Sequence, residues 1–96
     1  MLRVEFHSRT LLTVDSVDAA AIYFGEPDDT LSAQFLGYMA TLPYDGAEPE
    51  KARAWVEQTL PTITENGDIR EETFGNVKYS LFGWPRARNL QMGDLP

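Results

Sequence analysis

The sequence predicts a single α+β domain, in which an antiparallel sheet is covered by a layer of helices. The chain has 96 residues, of which 43% are hydrophobic and 24% are charged. Those proportions suit one small globular core. Apolar residues alternate with polar ones near both ends of the chain, whereas they recur at helical spacing in its middle. We therefore predict the order β-β-α-α-α-β-β, with a folded domain over 1–84 and an extended C-terminal tail over 85–96.

The first two elements are predicted to be paired strands. Residues 2–7 alternate strictly, which places Leu2, Val4 and Phe6 on one face of a half-buried strand. Residues 10–14 are rich in β-branched side chains and follow closely, which favours a hairpin.

A first helix is predicted over residues 19–24. Asp15 or Ser16 can cap its free amides, and Gly25 supplies a left-handed end.

Two further helices are predicted from caps and apolar spacing. The first begins at Asp28 and Asp29, ends at Pro43, and carries an apolar stripe of Leu31, Phe35, Leu36, Met39 and Leu42. A turn over residues 44–46 separates it from the next helix. Pro49 suits the first turn of that helix and Pro61 closes it, with a stripe of Ala52, Trp55, Val56 and Leu60.

A hairpin is predicted around Gly75 and Asn76. Gly75 tolerates the positive φ of a type II′ turn. Closing the turn with two residues sets Phe74 opposite Val77, and leaves Ile69 and Phe82 on the reverse face. Because both faces then carry large apolar groups, we expect this hairpin to be covered on both sides.

Negative charge is concentrated in one stretch of the chain. The net charge is −7, and residues 15–50 hold eight acidic residues and neither Lys nor Arg. Such a stretch is typical of a solvated face, or of a contact surface for a basic partner. Direct binding to nucleic acid or to an anionic membrane is not expected, because such binding depends on Lys and Arg.

Several chemistries lack the residues that they require. The chain has no cysteine and one histidine, which excludes thiolate chemistry and any site that needs two imidazoles. Phosphate-loop and EF-hand patterns are also missing. We therefore predict no catalytic residue, cofactor or metal. Neither a secretory signal nor a run of about 18 apolar residues is evident, so we expect a cytoplasmic location.

We expect a non-catalytic protein that binds, and thereby inhibits, a partner with a basic surface, as phage or plasmid inhibitors, polynucleotide mimics and immunity proteins do. This expectation rests on charge and analogy. A monomer or a homodimer is compatible with it. The alternative is a small-molecule binder or weak enzyme with a pocket between sheet and helices. The candidate partner-binding residues are Asp18, Glu26, Asp28, Asp29, Tyr44, Asp45, Glu48, Glu50 and Trp84.

Overall fold

The computed structural model describes residues 1–7, 16–42, 48–65 and 67–94. The predicted strand over 10–14 and the turn over 44–46 lie outside these ranges. The described elements are β1 (Leu2–His7), β2 (Ser16–Ile22), α1 (Asp29–Met39), α2 (Pro49–Thr59) with a 3₁₀ turn (Leu60–Thr62), β3 (Asp68–Phe74), β4 (Val77–Trp84) and β5 (Ala87–Asp94). The radius of gyration, 12.8 Å, is that of a compact domain of this length.

The five strands form one antiparallel sheet in the order β1-β2-β5-β4-β3. The described architecture is therefore β-β-α-α-β-β-β, which confirms the α+β class and corrects the predicted order.

The predicted first helix is wrong, because residues 16–22 form strand β2. β2 lies between β1 and β5, so its backbone groups are paired on both sides. Ala19, Ala20 and Ala21 are almost completely buried there. Packing of Ala19 in the core under α1 and ladder hydrogen bonds on both sides of β2 therefore override the helical propensity of alanine.

The predicted extended tail over 85–96 is also wrong, because β5 is the central strand of the sheet. Arg88, Leu90 and Met92 point to the same face and are all buried. The alternation was missed because Arg88 stands where a strand facing the core ordinarily has an apolar residue.

Both remaining helices are confirmed, although α1 ends at Met39 and not at Pro43. Asp28 caps α1, since its carboxylate accepts a hydrogen bond from the Leu31 amide at 3.0 Å, and Pro49 opens α2. In the predicted α1 stripe, Leu36 and Met39 are buried but Leu31 is exposed.

The hairpin of β3 and β4 has the predicted register, with Phe74 opposite Val77. Gly75 has a φ of 61°, and Asn76 has no positive φ, as a type II′ turn requires. The expectation that this hairpin is covered on both sides is wrong. Among the described residues, the core takes strand residues from one face, which we call the covered face, and both helices pack there. Val17, Ala19, Val77, Tyr79, Leu81, Leu90 and Met92 meet Leu36, Met39, Ala40, Ala52, Val56 and Leu60.

Candidate partner-binding surface

The second face of the sheet carries no described helix, and we call it the open face. Successive strand residues point to opposite sides, so this face is read from the residues that alternate with the core. It comprises Arg3, Asp18, Ala20, Ile22, Ile69, Glu71, Thr73, Lys78, Ser80, Phe82, Trp84, Ala87, Asn89 and Gln91.

One end of the open face is apolar. Ile22 lies opposite Ala87, which lies opposite Trp84, and in the adjacent row Phe82 lies opposite Ile69. With neighbouring strands about 4.8 Å apart, these side chains form one continuous patch. We call it the apolar corner: Ala20, Ile22, Ile69, Phe82, Trp84 and Ala87.

The corner is partly exposed, although Ala20 within it is buried. Trp84 is 43% exposed and Ile69 is 52% exposed, whereas Phe82 and Ile22 are half-buried. Exposed apolar side chains are common singly, but a contiguous group on a small domain is typical of an interaction site. Trp is also among the residues that contribute most to binding energy in protein interfaces.

Gly83 fixes the backbone that presents Trp84. Its φ is +118°, and a Cβ atom there would lie 2.0 Å from the carbonyl oxygen of Ala87. Only glycine fits this position. The turn at Pro85 and Arg86 is thereby held against the β2–α1 loop, where the Tyr23 amide donates to the Arg86 carbonyl oxygen at 2.8 Å.

That loop adds an exposed aromatic and an acidic residue beside the corner. Phe24 is 90% exposed, and Glu26 is exposed two residues later. The loop leads from Ile22 on the open face to the Asp28 cap of α1, which lies over the covered face. Trp84 and Glu26 are therefore brought to the same end of the sheet.

Polar groups border the corner on the open face. Lys78 Nζ lies 2.8 Å from Glu71 Oε2, and the Ser80 hydroxyl donates to the same oxygen at 3.2 Å. The Lys78 ammonium, followed by the Ser80 hydroxyl, holds the pKa of Glu71 below its ordinary value. Asp18 lies in the same cross-strand row as Ser80.

Asp29 contributes to the fold more than its sequence position suggests. Its carboxylate accepts from Arg88 Nη1 at 2.5 Å, and Arg88 is 1% exposed. Arg88 Nη2 also donates to the Ile63 carbonyl oxygen at 2.9 Å. The guanidinium therefore ties the start of α1 and the segment after α2 to the central strand.

Glu48 and Glu50 lie far from the apolar corner. They belong to the start of α2, and Glu48 pairs with Lys51 at 3.2 Å. A Cβ atom on Gly37, near the end of α1, would contact Arg53 and Glu57, whereas Asp29, at the start of α1, meets the segment after α2. The helices are thus antiparallel, and an 11-residue helix, about 16 Å long, separates the two acidic pairs.

The predicted site residues are therefore divided. Trp84 and Asp18 lie on the open face, and Glu26, Asp28 and Asp29 lie around the rim at the Trp84 end. Glu48 and Glu50 lie at the other end, and Tyr44 and Asp45 fall outside the described residues. Sequence reasoning missed Ile22 as a site residue because it treated that segment as a helix. It did find Ile69 and Phe82 on the reverse face of the hairpin but expected them to be covered.

Two other polar groups lie away from the apolar corner, Asp68 at the start of β3 and Tyr79 in the core. The Asp68 carboxylate accepts from the Thr64 and Glu65 amides at 3.1 Å, and these hydrogen bonds lower its pKa, so it closes a loop. The Tyr79 hydroxyl is buried without a hydrogen-bond partner among the described residues, and burial raises its pKa. Within the described ranges, acidic and imidazole side chains form no group of three that could hold a metal ion.

No helix in the described part of the chain is long and apolar enough to cross a membrane. A comparison of the whole chain with family models, curated proteins and solved structures finds no significant match.

Proposed function

We propose that this protein is a non-catalytic binding domain that takes a partner protein with a basic surface onto the open face of its sheet. The observation that carries the proposal is the apolar corner, where Trp84 is exposed among Ile22, Ile69 and Phe82 on a face without a described helix. An apolar centre with a polar rim is the usual composition of a protein interface.

The basic character of the partner follows from charge. The chain carries a net charge of −7, and Glu26, Glu71 and Asp18 border the corner or its loop. A Lys or Arg side chain of the partner can stack on the Trp84 indole while it approaches these carboxylates. Long-range attraction would raise the association rate, and the apolar contact would lengthen the lifetime of the complex.

Inhibition is the simplest consequence of such binding. A partner that uses its basic surface to hold a polyanion loses access to that surface when this protein covers it. The acidic pair at the start of α1 and the acidic pair at the start of α2 lie at opposite ends of the helices. This separation supports a contact at one corner rather than a continuous imitation of a phosphate backbone.

A defined cationic probe tests the proposal. We expect a heptaarginine peptide, titrated into ¹⁵N-labelled protein, to shift the indole signal of Trp84 and the amides of Ile69 and Phe82. Trp55 serves as an internal control, because it is the other tryptophan and packs against Phe74 on the covered face.

Matched variants separate a located contact from general charge attraction. Trp84→Ala is expected to weaken peptide binding about tenfold, as removal of an anchor does, whereas Tyr38→Ala, an exposed aromatic on α1, is expected to have little effect. Glu26→Lys should weaken binding more than Glu50→Lys, although both change the net charge equally. Equal losses in the two lysine variants, with no loss in Trp84→Ala, would refute the proposed site.

The same variants test the alternative of a pocket between sheet and helices. Tyr79→Phe removes the buried hydroxyl that such a pocket would use, and we expect it to leave peptide binding unchanged. Capture from a lysate of the producing cells, with nuclease added, then identifies the natural partner as the protein retained by Tyr38→Ala but not by Trp84→Ala.

A further inference from the structure

The two edge strands of the sheet are β1 and β3. They differ in whether side chains form hydrogen bonds with their outward backbone groups. Phe74 pairs with Val77 across the tight turn, so Ile69, Glu71 and Thr73 turn their N–H and C=O groups away from β4. The Arg70 guanidinium donates to the Ile69 carbonyl oxygen at 3.0 Å, and the Thr73 amide donates to Glu72 Oε1 at 3.1 Å. Side chains of β3 thus occupy part of the edge that another strand would need.

β1 presents the other edge. The Ile22 amide donates to the Met1 carbonyl oxygen at 2.8 Å, and the Met1 amino group donates to the Ile22 carbonyl oxygen. Because hydrogen-bonded and non-hydrogen-bonded pairs alternate, the backbone groups of Leu2, Val4 and Phe6 turn outward. No described strand lies beyond β1.

The sequence of this edge is complementary to itself. Residues 2–6 read Leu-Arg-Val-Glu-Phe. When two copies run antiparallel about Val4, Arg3 of each copy lies opposite Glu5 of the other, and Leu2 lies opposite Phe6. All three outward residues then form hydrogen-bonded pairs, and the two Arg–Glu pairs have opposite charges.

The neighbouring helix carries a second apolar feature on the same side. Leu31, Phe35 and Tyr38 follow one another at spacings of four and three, so they share a stripe of α1. Leu31 and Tyr38 are exposed, and Phe35 is half-buried. Gly37 faces Arg53 and Glu57 of α2, about 160° around the helix from Phe35, so the stripe turns away from α2. α1 packs on β2 and α2 packs on β3, which places this stripe on the β1 side.

We propose that two copies of this protein form a symmetric dimer by antiparallel pairing of their β1 strands about Val4. Directly opposite residues point to the same face, so the two sheets join into one with all helices on the same side. The two β2 strands are then separated by three strand spacings, about 14 Å. This distance leaves room for the α1 stripes and the exposed Leu2 side chains to pack between the helices.

A charge swap tests this pairing. Sedimentation equilibrium in 0.15 M salt is expected to show a dimer for the unchanged protein. Arg3→Glu and Glu5→Arg each turn both cross-strand attractions into repulsions, and each should raise the dimer Kd about tenfold. The double variant Arg3→Glu/Glu5→Arg exchanges the charges and should restore the dimer. Arg53→Glu on α2 makes the same change in net charge and should leave the Kd unchanged.

Hydrogen exchange provides a readout that needs no variant. The outward amides of Leu2, Val4 and Phe6 should exchange more slowly as the protein concentration rises, whereas the outward amide of Ile69 should not. A protein that stays monomeric up to about 1 mM, a double variant that fails to recover, or equal losses in Arg3→Glu and Arg53→Glu would each overturn the proposal. Peptide binding at Trp84 is measured separately, so it stands or falls independently of the dimer.

Discussion

The covered and open faces of the sheet belong to the same strands. In β4 and β5, a residue on one face is followed in the chain by a residue on the other face. Leu90 is completely buried beneath the helices, whereas the next residue, Gln91, is exposed on the open face. Tyr79 and Leu81 are likewise buried on the covered face. Lys78, which comes directly before Tyr79 in the chain, is exposed on the open face. The covered face thus supplies the burial that stabilises the fold, whereas no helix of the described ranges packs on the open face.

The largest loss of stability is expected for a substitution at the centre of the covered face. Leu90→Ala should lower the free energy of unfolding by about 3 to 4 kcal/mol, because it leaves a cavity in a strand that is paired on both sides. Gln91→Ala changes the adjacent, exposed position and should alter stability by less than about 0.5 kcal/mol. Urea unfolding measures both, and similar losses in the two variants would contradict the division between the faces.

The same division explains what the sequence could and could not predict. The β3–β4 hairpin was predicted with its register because Gly75 specifies the turn locally and Val77, Tyr79 and Leu81 alternate with polar residues. β2 was predicted as part of a helix because Asp15 or Ser16 could cap that helix and Gly25 could end it. Its strand conformation depends on pairing with β1 on one side and β5 on the other. These partners lie elsewhere in the chain, so the sequence of the segment alone does not reveal them.

The candidate surface was predictable only in part for the same reason. Trp84 was selected from residue type, and Ile69 and Phe82 were correctly assigned to one face of the hairpin. That Ile22 and Ala87 extend this patch follows from the pairing of β2 with β5, which brings together residues 65 positions apart. The acidic residues of 15–50 were treated as one set, but folding separates them because α1 and α2 run antiparallel.

One charged side chain, Arg88, is buried on the covered face. Arg88→Ala should lower the free energy of unfolding by about 3 kcal/mol, because it leaves a cavity and removes the donors of the Ile63 carbonyl oxygen. Arg88→Met fills most of the volume and should cost less, since the Asp29 carboxylate is largely exposed and remains hydrated without its partner.

Asp29→Asn provides the complementary variant. It leaves the buried guanidinium with a weaker partner, and we therefore expect it to be more destabilising than Arg88→Met. Thermal or urea unfolding of the three variants gives the order. An Asp29→Asn protein as stable as the unchanged one would contradict a structural role for this ion pair.

The smallest expected effect concerns the open face and its pH dependence. The pKa of Glu71 is lowered from its ordinary value of 4.5, mainly by the Lys78 ammonium. A carboxyl group whose pKa is lower in the folded state stabilises the fold above its unfolded pKa. This contribution declines as the pH falls below 4.5 and is lost once the pH passes the lowered, folded value.

Lys78→Gln is expected to raise the pKa of Glu71, as measured by NMR titration of its side-chain carboxyl carbon. It should also reduce the loss of unfolding free energy at acidic pH that arises from the pair of Glu71 and Lys78. The pKa of Asp68 is also lowered, by hydrogen bonds from the Glu65 and Thr64 amides, so the comparison is made between variant and unchanged protein. Lys51→Gln, which removes a partner of Glu48 on α2, is the control. If the pKa of Glu71 is the same in all three proteins, the ion pair has no energetic role, and Lys78 and Glu71 are both available to a partner at the border of the apolar corner.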